Sequence, residues 1–121
     1  MAKNTLSAGY ARVDITPPLG VNIAGYYKER IADGVLDNLY ACALAVSDGK
    51  NTVLLITTDL CSLSDTMADE WRAEIAEKTG LPTQNIYTHA VHTHQGPIVA
   101  NNCENPLNQQ YRRRKYTAHL R

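Results

Sequence analysis

The chain has no net charge and no long apolar segment, and both absences limit what it does. Its 121 residues contain 12 Lys and Arg against 12 Asp and Glu. The longest apolar run falls far short of the roughly 18 residues that cross a bilayer, so we predict no transmembrane segment. Residues 1–5 are not followed by the apolar core of a signal peptide, which favours a cytoplasmic location.

Cysteines are few, and several common catalytic motifs are missing. Cys42, Cys61 and Cys103 are odd in number and widely spaced, which excludes a disulfide framework and a CxxC metal clip. We predict reduced thiols, buried in apolar surroundings for Cys42 and Cys61. The sequence also lacks a GxSxG elbow, a P-loop and a GxGxxG fingerprint, so these motifs indicate neither a serine hydrolase nor a nucleotide-binding protein.

The zero net charge is the sum of two unlike parts. Residues 1–111 carry 7 cations and 12 acids, a net charge of −5, whereas the last ten residues carry 5 cations and no acid. The basic run at 112–115 resembles a phosphate-binding patch but lacks interleaved aromatic residues and a nucleic-acid-binding motif. We therefore predict no nucleic-acid partner and interpret the tail as the point where the domain is interrupted.

Apolar patterning predicts four strands and one helix. The predicted elements are strands at 10–16, 39–46, 53–58 and 85–92 and a helix at 63–79. A hairpin loop centred on Asp48 and Gly49 joins the second and third strands. The second and third strands are apolar at nearly every position, which is typical of a sheet covered on both faces. We therefore predict an α/β fold, a layered sheet core in the order β-β-β-α-β with at least one covering helix.

The helix and the chain end give further boundaries. Met67, Trp71 and Ile75 form an apolar stripe at helical spacing, and Ser62 with Asp65 resembles a capping pattern. The regular patterning stops after Pro97. We predict a domain at 1–97 followed by an irregular basic tail at 98–121, which is either truncated or weakly helical.

Three of the four histidines lie within six residues and form the candidate site. On a strand, His92 and His94 share one face and His89 points to the other. Neutral imidazole is the commonest zinc ligand, and the end of a strand is where α/β proteins usually place a site. The alternative is a pair of histidines that hydrogen-bond at a strand end, and that structural interpretation is favoured for His89.

Two histidines do not complete a zinc site, which takes four ligands. Asp59 ends the third strand as His92 and His94 end the fourth, and parallel strands would bring these ends together. Its carboxylate is either a ligand, an acceptor that orients an imidazole, or a structural loop residue. Asp14, beside the first turn, is predicted to be structural.

Six ordered blocks of the sequence closely resemble the start of the neutral/alkaline non-lysosomal ceramidase family. They are AGYARVDITPPLG at 8–20, AGY at 24–26, GVLDNLYA at 34–41, TTDL at 57–60, TGLP at 79–82 and HTHQGP at 92–97. Each block alone is unspecific, and their joint order and spacing carry the resemblance.

The resemblance implies a zinc-dependent amidase that cleaves the N-acyl bond of ceramide to a fatty acid and sphingosine. It implies that His92 is a zinc ligand and that His94 lies beside the metal-bound water or the substrate. Gly25 would line the entrance of the substrate pocket. We assign catalytic roles to His94 and Asp59. The partner is then an N-acyl amide or lipid, and family members are often secreted or membrane-associated.

This chain also departs from the family pattern. Leu36, Asn38, Cys42 and Gln95 stand where histidine, proline, arginine and serine or threonine are frequent. The family's catalytic domain is several times longer, and its later histidine, glutamate and tyrosine ligands lie beyond this chain. We therefore expect an incomplete domain. Three hypotheses stay open: part of a zinc amidase, an inactive truncated fragment, or a small module that binds metal or nucleic acid.

Overall fold

The fold is a four-stranded sheet with one helix, seen in a computed structural model that describes residues 5–99. The regular elements are β1 (Ser7–Asp14), β2 (Tyr40–Ser47), β3 (Thr52–Thr58), α1 (Asp65–Thr79) and β4 (Ile86–Ala90). A short 3-10 helix at Thr83–Asn85 leads into β4. The β-β-β-α-β order confirms the predicted α/β class.

The sheet is mixed, and its connections explain why. Its strand order is β1-β2-β3-β4. The pairs β1/β2 and β2/β3 are antiparallel, and β3/β4 is parallel. A parallel pair needs a long crossover connection, which α1 provides. The carboxyl ends of β3 and β4 consequently lie side by side, and the segments that follow them, 59–61 and 91–97, leave the sheet at the same edge.

The β2–β3 hairpin has the predicted Asp-Gly centre. Oδ1 of Asp48 accepts hydrogen bonds from the backbone N–H groups of Asn51 at 2.7 Å and Lys50 at 2.9 Å. These bonds favour the ionised form and lower the pKa of the Asp48 carboxyl. Gly49 adopts a φ of 92°, in the left-handed region that glycine enters without steric cost.

Helix α1 begins slightly later than the sequence predicted. The N-cap is Ser64, whose hydroxyl accepts a hydrogen bond from the backbone N–H of Met67 at 3.2 Å. Ser62 was therefore the wrong capping residue, and the predicted start at residue 63 was early. Gly80 ends the helix with a φ of 74° and donates to the carbonyl of Ala76, as the glycine in this position predicted.

The core lies between α1 and one face of the sheet. Its buried residues are Ile15, Leu60, Met67 and Val99, against which Leu39, Ala41, Leu63, Trp71 and Ala90 pack. Leu60 is fully buried, at 0% exposed. The helical stripe that the sequence predicted therefore supplies Met67 and Trp71 to the core.

The opposite sheet face is apolar but open within residues 5–99. Leu44, Leu55 and Tyr87 are aligned across β2, β3 and β4, so their side chains share this face. They are 38%, 42% and 58% exposed. The sequence predicted that both faces of the sheet would be covered, whereas residues 5–99 cover only one of them. This matches an incomplete α/β domain.

The boundary predicted at residue 97 stays a prediction. The backbone N–H of Ile98 donates to the carbonyl of Asn22 at 2.9 Å, and Val99 is buried in the core. The remaining predicted tail, including the basic run at 112–115, lies outside the described residues. Over 5–99, the helical segments are too short or too polar to span a bilayer.

Candidate metal centre

His92 and His94 lie in the turn that follows β4. The sequence predicted a strand to residue 92, but β4 ends at Ala90. His92 has a φ of 68°, an uncommon left-handed conformation for a residue with a side chain. Its backbone N–H donates to the carbonyl of Leu60 at 3.0 Å. Strand alternation was therefore the wrong reason to pair the two histidines, because the turn is what brings them together.

The two imidazole rings face each other through their Nε2 atoms. These atoms are 3.3 Å apart, and the ring centroids are separated by 5.0 Å with an interplanar angle of 70°. Two nitrogens bound to one tetrahedral zinc at about 2.0–2.1 Å are roughly 3.3–3.4 Å apart. The spacing of the pair therefore fits two ligands of a single ion.

The tautomer of His92 suits the same role. Its Nδ1 lies 2.8 Å from the backbone carbonyl oxygen of Cys61. A carbonyl oxygen accepts and never donates, so Nδ1 carries the proton and Nε2 keeps its lone pair. Metal-binding histidines usually donate their second ring N–H to a carbonyl or carboxylate, which fixes the orientation of the ring. His92 has this arrangement, with the protein backbone as its acceptor.

Cys61 joins the two histidines, which the sequence did not predict. One potential ligand atom from each of Cys61, His92 and His94 lies within 4.8 Å of the other two. Cys61 follows β3 and is half-buried. The sequence did contain a signal for Cys61. This residue comes just after β3, and β4, which pairs with β3 in parallel, ends just before the two histidines. The prediction of a reduced thiol in apolar surroundings did not use that position.

Asp59 lies near this group but is engaged elsewhere. Its Oδ2 accepts a hydrogen bond from the backbone N–H of Tyr40 at 2.9 Å, and its own N–H donates to the Tyr40 carbonyl. The carboxylate thus ties the end of β3 to the start of β2. Over residues 5–99, the donor group of Cys61, His92 and His94 does not include Asp59. Its catalytic role stays a prediction.

The structure keeps His89 and Asp14 apart from the donor group. His89 lies on β4, with its ring 6.0 Å from that of Tyr87 on the open sheet face. Asp14 accepts hydrogen bonds from the backbone N–H of Thr16 at 2.8 Å and from the side chain of Asn38 at 2.6 Å. Asp14 therefore has the structural contacts predicted for it, at the turn after β1.

Gly25 lies directly against the ring of His94. A β-carbon at this position would be 2.3 Å from Cγ of His94, and the φ of Gly25 is 95°. Arg30 supports the same contact, because its guanidinium donates to the backbone carbonyls of His94 and Ala24. The loop around residues 24–30 therefore fixes the position of His94, and a side chain at residue 25 would displace the ring.

An apolar cleft is lined in part by the 91–97 segment, although His92, His94 and Cys61 are not among its lining residues. It has a volume of about 1080 Å³, and Thr93 and Gln95, the neighbours of His94, are among its lining residues. Its apolar wall consists of Leu19, Val21, Ile23, Ile31, Val35, Leu36, Leu39 and Val91. Asp59 also lines this cleft. The cleft therefore adjoins the segment that holds the histidines, and Asp59 is the candidate site residue on its wall.

Comparison of the sequence with known protein families shows which family contains this group of residues. The sequence model of the neutral/alkaline non-lysosomal ceramidase family, N-terminal part, matches residues 6–119. The chain belongs to this ceramidase family. The match includes the segments that hold Gly25, Asp59, Cys61, His92 and His94, so the candidate metal centre is part of the region that the ceramidases share.

Solved ceramidase structures have the same fold over the described region. Neutral ceramidase from Pseudomonas aeruginosa aligns with a TM-score of 0.69 and 24% identity, over 78% of this chain and 16% of that one. A second structure, a ceramidase complexed with C2, aligns with a TM-score of 0.67 and 23% identity over the same shares. The chain thus spans about 16% of the length of these ceramidases.

Replacing Gly25 by alanine should weaken zinc binding by this ceramidase-family chain by roughly 10–100-fold, the range for losing a group that supports a metal ligand. The added methyl group would overlap the His94 ring. Gly20→Ala is the matched control, because Gly20 has a φ of 88° but no atom within 4 Å of a β-carbon. Both variants incur a backbone cost of about 1–2 kcal/mol. Equal zinc affinities for the two variants, measured by competition with a chromophoric chelator, would contradict the assigned contact.

Proposed function

We propose that this chain is the segment of a zinc-dependent hydrolase that provides the metal ligand His92 and, beside it, the catalytic His94, and that the substrate is an N-acyl amide of the ceramide class. The observation that carries the proposal is the 3.3 Å separation of the His92 and His94 Nε2 atoms within the family-matched region. The spacing and the His92 tautomer both fit a zinc ion, independently of the family match.

The chemistry of amide cleavage fits this donor set. Zinc bound here would lower the pKa of a bound water to about 7 and would polarise an amide carbonyl. His92 is assigned to hold the ion through Nε2, with Nδ1 fixed by the Cys61 carbonyl. His94, held by Gly25 and Arg30, is assigned to the water or the substrate. Asp59 lines the adjacent cleft and is retained as a catalytic candidate.

The apolar cleft supports a substrate with a hydrocarbon chain. Its wall is mainly aliphatic, and Thr93 and Gln95, which flank His94 in the chain, are among its lining residues. A long acyl chain gains about 0.8 kcal/mol for each CH₂ group removed from water. An amide whose acyl chain occupies the cleft would therefore lie along the segment that carries the histidines, with Asp59 on the wall of the cleft. The C2 complex of a related ceramidase is consistent with this substrate class.

A second candidate function is metal binding without turnover. The open sheet face formed by Leu44, Leu55 and Tyr87 favours it, because the described residues leave this apolar surface in solvent. The chain also spans only 16% of the length of the compared ceramidases. In this case the histidine pair binds zinc, and the segment takes no part in hydrolysis.

Zinc titration and a segment exchange separate the two functions. We expect the purified chain to bind one zinc ion in equilibrium dialysis. The second arm replaces the aligned segment of the Pseudomonas aeruginosa ceramidase with residues 6–99 and measures release of fatty acid from an N-acyl sphingosine. Zinc-dependent hydrolysis by a chimera that retains its zinc supports the hydrolase. A folded, zinc-loaded chimera without hydrolysis contradicts it and favours metal binding alone.

A further inference from the structure

The side chain of Arg30 connects the apolar cleft to the histidine turn. Arg30 is one of the residues that line the cleft. Its Nη2 donates hydrogen bonds to the backbone carbonyls of Ala24 and His94, although His94 itself does not line the cleft. Arg30 therefore belongs both to the wall of the cleft and to the immediate surroundings of His94.

The backbone holds Arg30 at this junction independently of its side chain. The carbonyl of Arg30 accepts a hydrogen bond from the N–H of Ile23 at 2.8 Å, and Ile23 also forms an isolated β-bridge with Pro97. Three adjacent segments thus meet here, and one of them is the 91–97 segment that carries the histidines. Because these are backbone contacts, a change of the side chain at residue 30 leaves them in place.

The guanidinium group of Arg30 is held in one orientation. Its Cζ lies 3.8 Å from the centroid of the Tyr26 ring, which is a cation–π contact. The Tyr26 ring in turn meets the His94 ring edge-on, with the centroids 5.8 Å apart and an interplanar angle of 74°. A donor that is already oriented binds a ligand with a smaller loss of conformational entropy. The stacked guanidinium is therefore suited to recognise a polar group.

Much of the hydrogen-bonding capacity of this guanidinium is unused within residues 5–99. The group has five N–H donors, and Nη2 makes the bonds to the Ala24 and His94 carbonyls. Nε is buried and has no hydrogen-bond partner in this part of the chain. A buried donor without an acceptor is costly, and native structures rarely retain one without a function for it. Arg30 therefore has donors left for a molecule that occupies the cleft.

We propose that Arg30 donates a hydrogen bond to the amide carbonyl oxygen of the substrate, while the hydrocarbon chain lies in the cleft. The inference rests on the proposed function for the substrate class and names the residue that recognises its polar end. Among the described residues, Arg30 is the one Lys or Arg on the wall of the cleft, against the carboxylates of Asp33, Asp37 and Asp59. This excess of negative charge disfavours a fatty-acid carboxylate and favours an uncharged amide.

Two probes with the same hydrocarbon chain, N-methyldecanamide and decanoate, test the proposal. In isothermal titration of the metal-free chain, the amide should bind more tightly than the carboxylate. Arg30→Met keeps an apolar stem and removes every donor, so the affinity for the amide should fall by roughly 10–100-fold, the range for a hydrogen bond from a charged group. Arg12→Met is the matched control and should bind the amide normally, because Arg12 stacks on Tyr40 and does not line the cleft.

A lysine at residue 30 separates hydrogen bonding from charge. Arg30→Lys keeps the positive charge and loses the planar array of donors, so it should recover little of the affinity for the amide. Full recovery by lysine would overturn the assignment of a guanidinium hydrogen bond. The urea unfolding midpoints of both variants, followed by Trp71 fluorescence, should stay close to that of the unmodified chain.

Nuclear magnetic resonance gives a measurement that needs no variant. Because Nε of Arg30 is buried, its proton should exchange slowly with water and give a resolved Nε–H signal. This signal should shift when N-methyldecanamide is added, whereas the backbone amide signal of Arg12 should not. An Arg30 signal that stays unchanged at a saturating concentration of the amide would overturn the proposal, whatever the variants do.

The outcomes also separate this inference from the proposed function. A chain that binds zinc but binds the amide equally well with and without Arg30 removes Arg30 from substrate recognition and leaves the zinc site intact. Tighter binding of decanoate than of the amide overturns the assignment of the head group. Amide binding that depends on Arg30 in a chain without zinc affinity supports this inference and contradicts the zinc basis of the proposed hydrolase.

Discussion

Replacing His92 by alanine should abolish one-to-one zinc binding, whereas replacing His89 by alanine should leave it unchanged. The Nε2 atom of His92 faces that of His94 at 3.3 Å, and its Nδ1 proton is held by the Cys61 carbonyl. Removing the imidazole removes both a ligand and the contact that orients it. His89 lies on the open sheet face beside Tyr87, so its loss affects no ligand of the candidate centre.

The backbone of His92 requires a second variant. Its φ of 68° is tolerated better by histidine and asparagine than by alanine, so His92→Ala perturbs the turn as well as the ligand. Asparagine tolerates this conformation and lacks the imidazole, which makes His92→Asn the better test of ligation alone. Isothermal titration should show no zinc binding by either variant. Equal zinc loss in His89→Ala and His92→Asn would contradict the separation of the two histidines.

Replacing Leu60 by alanine should lower the free energy of unfolding by about 2–5 kcal/mol, the range for deleting a large buried aliphatic side chain. Leu60 is 0% exposed and packs in the cluster of Ile15, Met67 and Val99. Its carbonyl also accepts the backbone N–H of His92. A cavity at this position therefore disturbs the core and the base of the histidine turn together.

Urea unfolding followed by Trp71 fluorescence measures the effect of Leu60→Ala. Leu36→Ala is the control, because Leu36 is fully exposed at 102% and its replacement should change stability by less than about 0.5 kcal/mol. Leu60→Ala should also weaken zinc binding, because the Leu60 carbonyl accepts the backbone N–H of His92 and so anchors the turn that contains this histidine. Similar unfolding midpoints for the two variants would show that Leu60 is not central to the core.

Local sequence signals predicted the elements well because their causes are local. Gly80 ends α1 where glycine favours the left-handed cap, and the Asp48–Gly49 pair forms the predicted hairpin. The capping residue was harder to predict, because Ser62 and Ser64 both precede the helix and only Ser64 bonds to the helical N–H groups. The two serines have the same chemistry, so only the exact path of the backbone decides which of them caps the helix.

The candidate site was partly predictable for a different reason. The HTH sequence at 92–94 identifies the two imidazoles, and the block resemblance indicates their chemistry. The expected strand geometry was wrong, because β4 ends at Ala90 and a left-handed residue follows it. The alternation of apolar and polar residues is an average over a segment. A change of backbone conformation at one residue, such as His92, leaves that alternation unchanged and therefore cannot be predicted from it.

The sequence by itself determined the residue chemistry: two histidines, an apolar strand set, and a series of family blocks between residues 8 and 97. The tertiary structure alone decided that Cys61 lies beside His92 and His94 and that Asp59 binds the Tyr40 backbone instead. The physical reason is the parallel pairing of β3 with β4, which aligns two strand ends that are about 30 residues apart in the chain. Such pairing depends on long-range contacts that no local pattern records.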